Sequence, residues 1–314
     1  MLKVGLIGVG AISGAHINGW ADCPGAELVA VCDIRPEQLE KVEGVNKYAS
    51  FDEMLDNEEL DIVDICLPTF LHAEYAIKAM EMGKHVLCEK PISLNIDDVD
   101  RVYGTAERMK VKFMVAQVLR FWPEFEYIKE LYENKKYGKL LSGHMYRLSS
   151  MPRSSWDGWM TDEKRSGFTP YDLHIHDLDF MVYAFGKPDF VETHRSKLSN
   201  QDYFSATYGF GDAFISAEAA WYHGKYPFEA GFRFQFENAV AVFKNGALTL
   251  NTYDEIEEFK GLDNADNEGD GYAPKTSAYG NEIRYFAECV LNNQNPDKVK
   301  AQELKEVINI LNSF

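Results

Sequence analysis

The chain has few cysteines, and they form no recognisable pattern. Its five cysteines contain no CxxC pair, and three of them lie in apolar runs typical of small buried side chains. A disulfide framework is therefore not expected, which favours a reducing, cytoplasmic setting. The N-terminal stretch MLKVGLIGVG also lacks the apolar core of a secretory signal, because glycines interrupt it.

Basic residues are scarce as well. Lysine and arginine total 32 against 50 acidic residues, a formal net charge of -18. Nucleic acids and anionic membrane surfaces bind basic patches, so neither is expected as a partner. No run approaches the roughly 18 apolar residues that a membrane helix needs. The composition instead favours a globular protein that binds a small molecule, and 314 residues are enough for two domains of roughly 100–200 residues.

Two kinds of hydrophobic pattern divide the chain. Residues 1–120 alternate β-branched strands with helical stretches, which predicts an α/β domain with a doubly wound parallel sheet. Residues 121–314 begin with a helix and continue with period-two strands, which predicts an α+β domain with a large, open, mostly antiparallel sheet. Turns are expected at Gly211-Asp212 and Asn245-Gly246. A polar surface loop is expected at 261–280, and closing helices at 280–314.

A glycine-rich turn follows the first predicted strand in VGLIGVGAIS. Gly8 and Gly10 occupy the positions where a tight turn lets a pyrophosphate approach a helix N-terminus, with Ala11 and Ile12 in the turn. The third fingerprint position holds Ser13 instead of glycine, which still permits close packing. A strand before the turn and a helix after it favour a dinucleotide site over an ordinary turn.

An acid ends the second predicted strand, in AVCDIRPE. A carboxylate at Asp33 can accept hydrogen bonds from the adenosine ribose and repel a 2′-phosphate, so NAD is favoured. Arg35 keeps NADP as an alternative, since a guanidinium binds phosphate well. The other interpretation of Asp33 is a helix cap or a solvated turn acid.

Later motifs resemble the Gfo/Idh/MocA family, the relatives of glucose–fructose oxidoreductase and inositol dehydrogenase. The EKP motif of that family is matched by Glu89-Lys90-Pro91. Its Pro-Thr-x-x-His stretch is matched by Pro68, Thr69 and His72. Its DxGxHxxD motif is matched by DLHIHDLD, residues 172–179, and the similarity also includes VAQVLRFWPEF.

The resemblance implies a Rossmann domain followed by a domain whose open sheet commonly forms the oligomer interface, here in a homodimer or homotetramer. It also implies NAD(P)-dependent oxidation or reduction of a sugar or polyol hydroxyl. Lys90 and His176 would face the nicotinamide ring, with Asp172 beside them. His174 stands where the family has glycine, which changes the expected shape of the substrate pocket. The expected cofactor contacts are Gly8, Gly10, Ala11, Ile12, Ser13, Asp33, Arg35, Pro68, Thr69, His72, Glu89, Lys90 and Gln117.

The residue types suit this chemistry. Oxidation of a secondary alcohol needs a base that titrates near neutral pH, which histidine provides, and a cation that holds the oxygen as its negative charge develops. His176 and Lys90 are the candidates, and Asp172 is the acid that orients the imidazole. Candidate substrate contacts are His174, Arg120, which can instead pair with an acid, and Trp156 and Trp159, which can instead serve packing.

These residues also allow other interpretations. A non-catalytic NAD-binding sensor and an NAD-dependent glycosidase are possible on the same scaffold, although a sensor does not need Lys90 and His176. A metal hydrolase built on His174 and His176 is disfavoured. On a helix, residues two apart point in different directions, whereas Asp172, His176 and Asp179 are expected to share one side. The sequence therefore predicts no metal site.

Overall fold

A computed structural model describes residues 1–260 and 278–314, and most of the predicted 261–280 loop lies outside these ranges. The chain forms two compact units. The first holds Met1–Val118 together with the described residues from Ala278 to Leu304. The second holds residues 119–260 and the last segment, Lys305–Phe314.

The first unit is built on a six-stranded sheet in the order β3-β2-β1-β4-β5-β6. Every pair in it is parallel, which confirms the predicted doubly wound architecture. Its strands are β1 Leu2–Ile7, β2 Ala26–Cys32, β3 Asn46–Tyr48, β4 Ile62–Ile65, β5 His85–Glu89 and β6 Phe113–Ala116. Its helices are α1 Ser13–Ala21, α2 Pro36–Leu39, α3 Phe51–Asn57, α4 His72–Glu81, α5 Ile96–Met109 and α9 Ala278–Leu291.

Helix α9 belongs to the first unit, although the sequence analysis placed it with the second domain. It packs on α1 at Gly19, where a side chain would collide with Ile283. Because this partner lies more than 250 residues earlier in the chain, the local pattern of α9 shows an apolar face but not what covers that face.

The second unit contains an eight-stranded sheet in the order β14-β13-β12-β11-β7-β10-β9-β8. Only the pair of β7 and β10 is parallel, so the predicted mostly antiparallel sheet is confirmed. The predicted turns at 211–212 and 245–246 join β9 to β10 and β12 to β13. The strands are β7 Leu140–Ser150, β8 Phe190–Leu198, β9 Gln201–Phe210, β10 Ala213–Tyr222, β11 Glu229–Phe236, β12 Val240–Lys244, β13 Ala247–Asn251 and β14 Ile256–Glu258.

One face of this second sheet is buried against helices. Along β9, residues alternate between buried and half-exposed, as expected when only one face of a sheet is covered. The longer helices of the second unit are α6 Pro123–Asn134 and α8 Ile175–Phe185, with the short α7 Glu163–Ser166 between them; α10 is Ala301–Leu311. Phe125 of α6 makes edge-on ring contacts with Phe180 of α8 and Phe232 of β11. This aromatic core fixes α8, and with it the turn that carries the 172–179 motif.

In the described ranges, no helix is both long and apolar enough to span a lipid bilayer.

Candidate active site

The turn after β1 is held by its own backbone. The amide of Gly8 donates to the carbonyl of Cys32 at 2.8 Å, and Gly8 has a φ of +94°. A Cβ at Gly8 would lie 2.6 Å from the carbonyl oxygen of Cys66. The fold therefore requires glycine at position 8, for both the conformation and the space.

Gly10 differs from Gly8. Within residues 1–260 and 278–314, a Cβ at this position would meet no atom within 4 Å, and Gly10 and Ala11 are exposed. Helix α1 begins directly after the turn with no side-chain cap and no acid in its first turn. Ser13 donates to the carbonyl of Gly10 at 2.8 Å and so ties the turn to the helix. An open glycine beside an uncapped helix N-terminus suits the close approach of a pyrophosphate.

The predicted ribose acid, Asp33, is buried at the end of β2. Its Oδ2 accepts from the amide of Val9 at 2.8 Å and from Nη2 of Arg35 at 2.9 Å. Its Oδ1 accepts from the backbone amide and Nε of Arg35 at 2.9 and 3.0 Å. The hydrogen bonds that the Arg35 guanidinium donates to Asp33 raise its pKa, although partial burial opposes the shift. Asp33 thus connects the glycine turn to the residue that would admit a 2′-phosphate.

The remaining candidate residues of the first unit lie at one edge of its sheet. Pro68 and Thr69 follow β4, Glu89 ends β5, Lys90 follows it, and Gln117 follows β6. Because all these strands are parallel, their carboxyl ends share an edge with the glycine turn. Ligands of open α/β sheets bind at this edge, where the strand order reverses between β1 and β4.

The EKP motif is fixed from both sides. Glu89 is buried, and its Oε2 accepts from the backbone amide of Lys90 at 3.0 Å. The peptide bond between Lys90 and Pro91 is cis. His72 lies between two backbone carbonyls, with Nδ1 2.7 Å from the oxygen of Pro91 and Nε2 2.6 Å from that of Leu67. Burial lowers the pKa of His72, although both carbonyls oppose the shift.

The 172–179 motif starts in a widened helical turn. Residues Pro170–His174 form a π-helix that continues into α8, and such turns are often found at functional sites. Asp172 and His176 are both half-exposed, whereas Asp179 is almost fully buried. Asp172 and His176 thus remain accessible to solvent, whereas Asp179 lies in the core and does not share an exposed side with them.

His174 points into the second unit. Its side chain is fully buried, and Nε2 lies 2.5 Å from the hydroxyl of Tyr208. Burial, with the charge of Arg147, lowers the pKa of His174 to about 3, so the imidazole is neutral. The neighbouring Asp177 instead accepts from Nη2 of Arg147 at 2.9 Å. His174 therefore fills core space with a polar ring where the family has glycine.

Arg120 is completely buried. Its Nε and Nη2 donate to the two oxygens of Asp179 at 2.8 and 2.7 Å, and its guanidinium lies over the ring of Tyr183. Of the two roles considered for this residue, the geometry favours pairing with an acid. Trp156 and Trp159 lie in a short 3-10 segment and are half-buried.

We expect Arg120→Met to lower the free energy of unfolding by about 3–5 kcal/mol, because it leaves the carboxylate of Asp179 buried without its bidentate partner. Urea denaturation checks this. The matched control is Arg165→Met in the same unit, whose pair with the largely exposed Asp157 should contribute at most about 1 kcal/mol. An Arg120→Met protein of unchanged stability whose KM for substrate is raised would instead support the substrate role.

One buried group could not be identified from the sequence pattern. His16 is fully buried and lies between Asp64 and Glu89. The available signal was Asp64 itself, an acid inside the apolar strand DIVDIC. A charge in a strand covered on both faces requires a buried partner.

Two family models match the chain. One describes an oxidoreductase family with an NAD-binding Rossmann fold and matches residues 2–117. The other describes the GFO/IDH/MocA C-terminal domain and matches residues 125–242. Together they include well over half of the chain and both units.

Similar proteins include several dehydrogenases. The chain is 32% identical over 206 residues to a glucose-6-phosphate 3-dehydrogenase of Bacillus subtilis, across 63% of this chain and 58% of that protein. It is 28% identical over 295 residues to a myo-inositol 2-dehydrogenase of Thermotoga maritima, across 92% and 76%. A levoglucosan dehydrogenase solved with NADH and levoglucosan has the same fold, with a TM-score of 0.82 at 22% identity, covering 99% of this chain and 95% of that one. The match thus spans little more than half of the first relative's length.

Proposed function

This chain belongs to the Gfo/Idh/MocA oxidoreductase family, and we propose that it transfers hydride between NAD and a secondary hydroxyl or keto group of a sugar, polyol or sugar derivative. The observation that carries the proposal is the edge of the first sheet. There an open glycine at position 10, an uncapped helix α1 and Asp33 are the features of a dinucleotide site, and Lys90 follows β5 at the same edge.

The proposed reaction in the oxidative direction removes two electrons and two hydrogens from the alcohol. NAD supplies the acceptor for the hydride that leaves the carbinol carbon. His176 takes the hydroxyl proton as general base, and Asp172 orients the imidazole and stabilises its charged form. Lys90 stabilises the negative charge that develops on the substrate oxygen. In the reductive direction the same groups return the proton.

The residues at this edge have separate proposed roles towards the cofactor. The backbone from Gly10 to Ser13 approaches the pyrophosphate, and Asp33 binds the adenosine ribose. Pro68, Thr69, His72, Glu89 and Gln117 are proposed to shape the remainder of the cofactor site. His72 does so by joining the backbone after β4 to the backbone after β5.

Cofactor preference provides a direct test. We expect Asp33→Asn to raise the ratio of kcat/KM for NADP over NAD by about tenfold or more, since a charge-assisted hydrogen bond contributes about 1.5–3 kcal/mol. Asparagine keeps an oxygen for the Val9 amide, so the turn should survive. The comparison variant, Arg35→Ala, should lower the use of NADP and alter the use of NAD little. An unchanged ratio in Asp33→Asn would contradict the ribose role.

The activity itself is tested by a screen of sugars, polyols and their phosphates with NAD and NADP, followed through nicotinamide absorbance. Calorimetric titration with NAD runs beside it. Turnover of a carbohydrate supports the proposal, whereas tight NAD binding without any turnover would favour a sensor.

The proposal extends to assembly and location. The half-exposed face of the second sheet, with Tyr203, Glu218 and His144 among its side chains, is proposed to join copies of the chain in a homodimer or homotetramer. A cytoplasmic location is also proposed, because the cysteine spacing does not suggest a disulfide framework. The five cysteines are all free and buried, which supports a reducing setting.

A further inference from the structure

A buried charged cluster lies behind the EKP motif. Nδ1 of His16, on α1, is 2.8 Å from Oδ2 of Asp64, on β4, and Nε2 is 3.0 Å from Oε1 of Glu89, at the end of β5. The indole of Trp20 donates to the same oxygen of Asp64 at 2.6 Å. The side chains of His16 and Asp64 are fully buried, and that of Glu89 is 9% exposed.

The geometry indicates the charge state of the cluster. Both ring nitrogens of His16 face carboxylate oxygens, and an ionised carboxylate can only accept. Two such contacts need two N–H groups, so His16 is an imidazolium between two carboxylates. Burial alone would lower the pKa of His16, but the charge of Asp64, with the hydrogen bond to it, raises that pKa well above its ordinary value.

The other groups around His16 do not supply a competing charge. Cys66 follows β4, and burial raises the pKa of its thiol to about 12. Cys88 on β5 also has a raised thiol pKa because it is buried. The ring of Tyr279, on α9, lies 6.4 Å away. The separation of 2.8 Å between Nδ1 and Oδ2 is shorter than the roughly 3.3 Å between two ligands of a tetrahedral metal ion, so the two atoms share a proton.

Glu89 connects this cluster to Lys90. Its Oε1 accepts from His16, and its Oε2 accepts from the backbone amide of Lys90 at 3.0 Å. Burial would raise the pKa of Glu89, but the hydrogen bond from His16 and the charges of His16 and Lys90 lower it. One carboxylate thus receives a fixed cation on one oxygen and the Lys90 backbone on the other.

We propose that His16 is a positioning residue for Lys90: held by Asp64, it fixes the carboxylate of Glu89, which fixes the backbone from which the Lys90 side chain extends. The inference rests on the proposed role of Lys90 in the reaction. His16 touches neither substrate nor cofactor in this proposal, and it acts only through Glu89.

Spectroscopy tests the cluster without relying on turnover. Protein labelled with 15N-histidine should show a His16 imidazolium with both ring nitrogens protonated at about pH 8, where free histidine, with a pKa of about 6.5, is neutral. This signal should disappear in His16→Gln. In protein labelled with 15N-lysine, the Lys90 backbone amide, assigned through Lys90→Arg, should shift in His16→Gln.

The matched control is His85→Gln. His85 is the first residue of β5, and Glu89 is the last. The Nδ1 of His85 accepts a hydrogen bond from the backbone amide of Lys112 at 2.8 Å. Because it lies at the amino end of the strand, its replacement should leave the Lys90 amide signal in place. A Lys90 amide that stays unmoved in His16→Gln, or a His16 ring that is neutral at about pH 8, would overturn the inference.

Kinetics supply the second arm. In His16→Gln, kcat should fall by about ten- to a hundredfold, as expected for a displaced reacting group, while KM for NAD changes little. Loss of the cation lets buried Glu89 take up a proton, so the variant should gain an ionisation absent from wild type and recover activity as pH rises. The effects of His16→Gln and Glu89→Gln should be non-additive when combined.

The outcomes separate the two proposals. If wild type turns over no carbohydrate, the proposed function fails, and the two NMR signals still decide whether His16 holds the Lys90 backbone through Glu89. If wild type is active and His16→Gln keeps its kcat and its pH profile, the positioning role is overturned while the proposed function stands. Circular dichroism of each folded variant identifies a loss of fold, and His16→Asn then serves as the second substitution.

Discussion

Lys90→Met should lower kcat by about a hundred- to a thousandfold, the effect of removing one group that stabilises a developing oxyanion. Methionine keeps most of the length and apolar volume of lysine but carries no charge. Because the ammonium is needed mainly when the alcohol oxygen becomes negative, NAD affinity should change far less than kcat. Steady-state kinetics on the substrate found in the carbohydrate screen, with calorimetric NAD binding, measure both quantities.

Lys84→Met is the control for this result. Lys84 precedes β5 at its amino end and donates to the carbonyl of Leu60 at 3.0 Å, whereas Lys90 follows the carboxyl end. The same substitution there should leave kcat near that of wild type. Equal activity in Lys90→Met and Lys84→Met would remove Lys90 from the reaction.

His176→Gln should lower kcat by about a hundred- to ten-thousandfold, since a positioned general base contributes that much. The shape of the pH profile should also change. A histidine base becomes protonated, and so can no longer accept a proton, as pH falls through its pKa, ordinarily about 6.5. Wild-type activity should therefore decline on the acid side. The variant should lack this decline, and profiles of kcat/KM measured for both proteins decide the point.

Two further variants serve as comparisons for His176→Gln. Asp172→Asn should give a smaller fall in kcat, because it removes the group that orients the base and leaves the base itself. His223→Gln replaces an exposed histidine of the second unit, whose Nδ1 lies 3.1 Å from Nδ2 of Asn200, and should retain activity. A wild-type pH profile in His176→Gln would contradict its role as base.

Much of the first unit could be predicted from local patterns. The turn at Gly8 needs glycine because of its positive φ and the nearby carbonyl of Cys66. A glycine directly after a predicted strand therefore identifies this turn in the sequence. The parallel sheet follows from strands that are mostly apolar, a composition typical of strands covered on both faces. The carboxyl-end placement of Asp33, Glu89 and Lys90 then follows from strand direction alone.

The contacts of these residues could not be predicted in the same way. His16 finds Asp64 and Glu89 at separations of 48 and 73 residues, and no local pattern encodes such pairings. The 172–179 motif has a second difficulty, because a π-turn changes the period on which side chains were assigned to faces. Asp179 consequently lies with Arg120 in the core, and His174 lies against Tyr208.

The two glycines of the first turn, Gly8 and Gly10, are needed for different reasons. Gly8 is required by the protein itself, since the carbonyl of Cys66 occupies the space that a side chain would take. No atom of the described residues occupies the corresponding space at Gly10, so an alanine there should cost the fold little and would mainly affect a bound ligand. A relative of this chain that no longer bound a dinucleotide could accept other residues at position 10 but would still need glycine at position 8. When relatives are sorted into cofactor users and former users, position 10 is therefore the informative one.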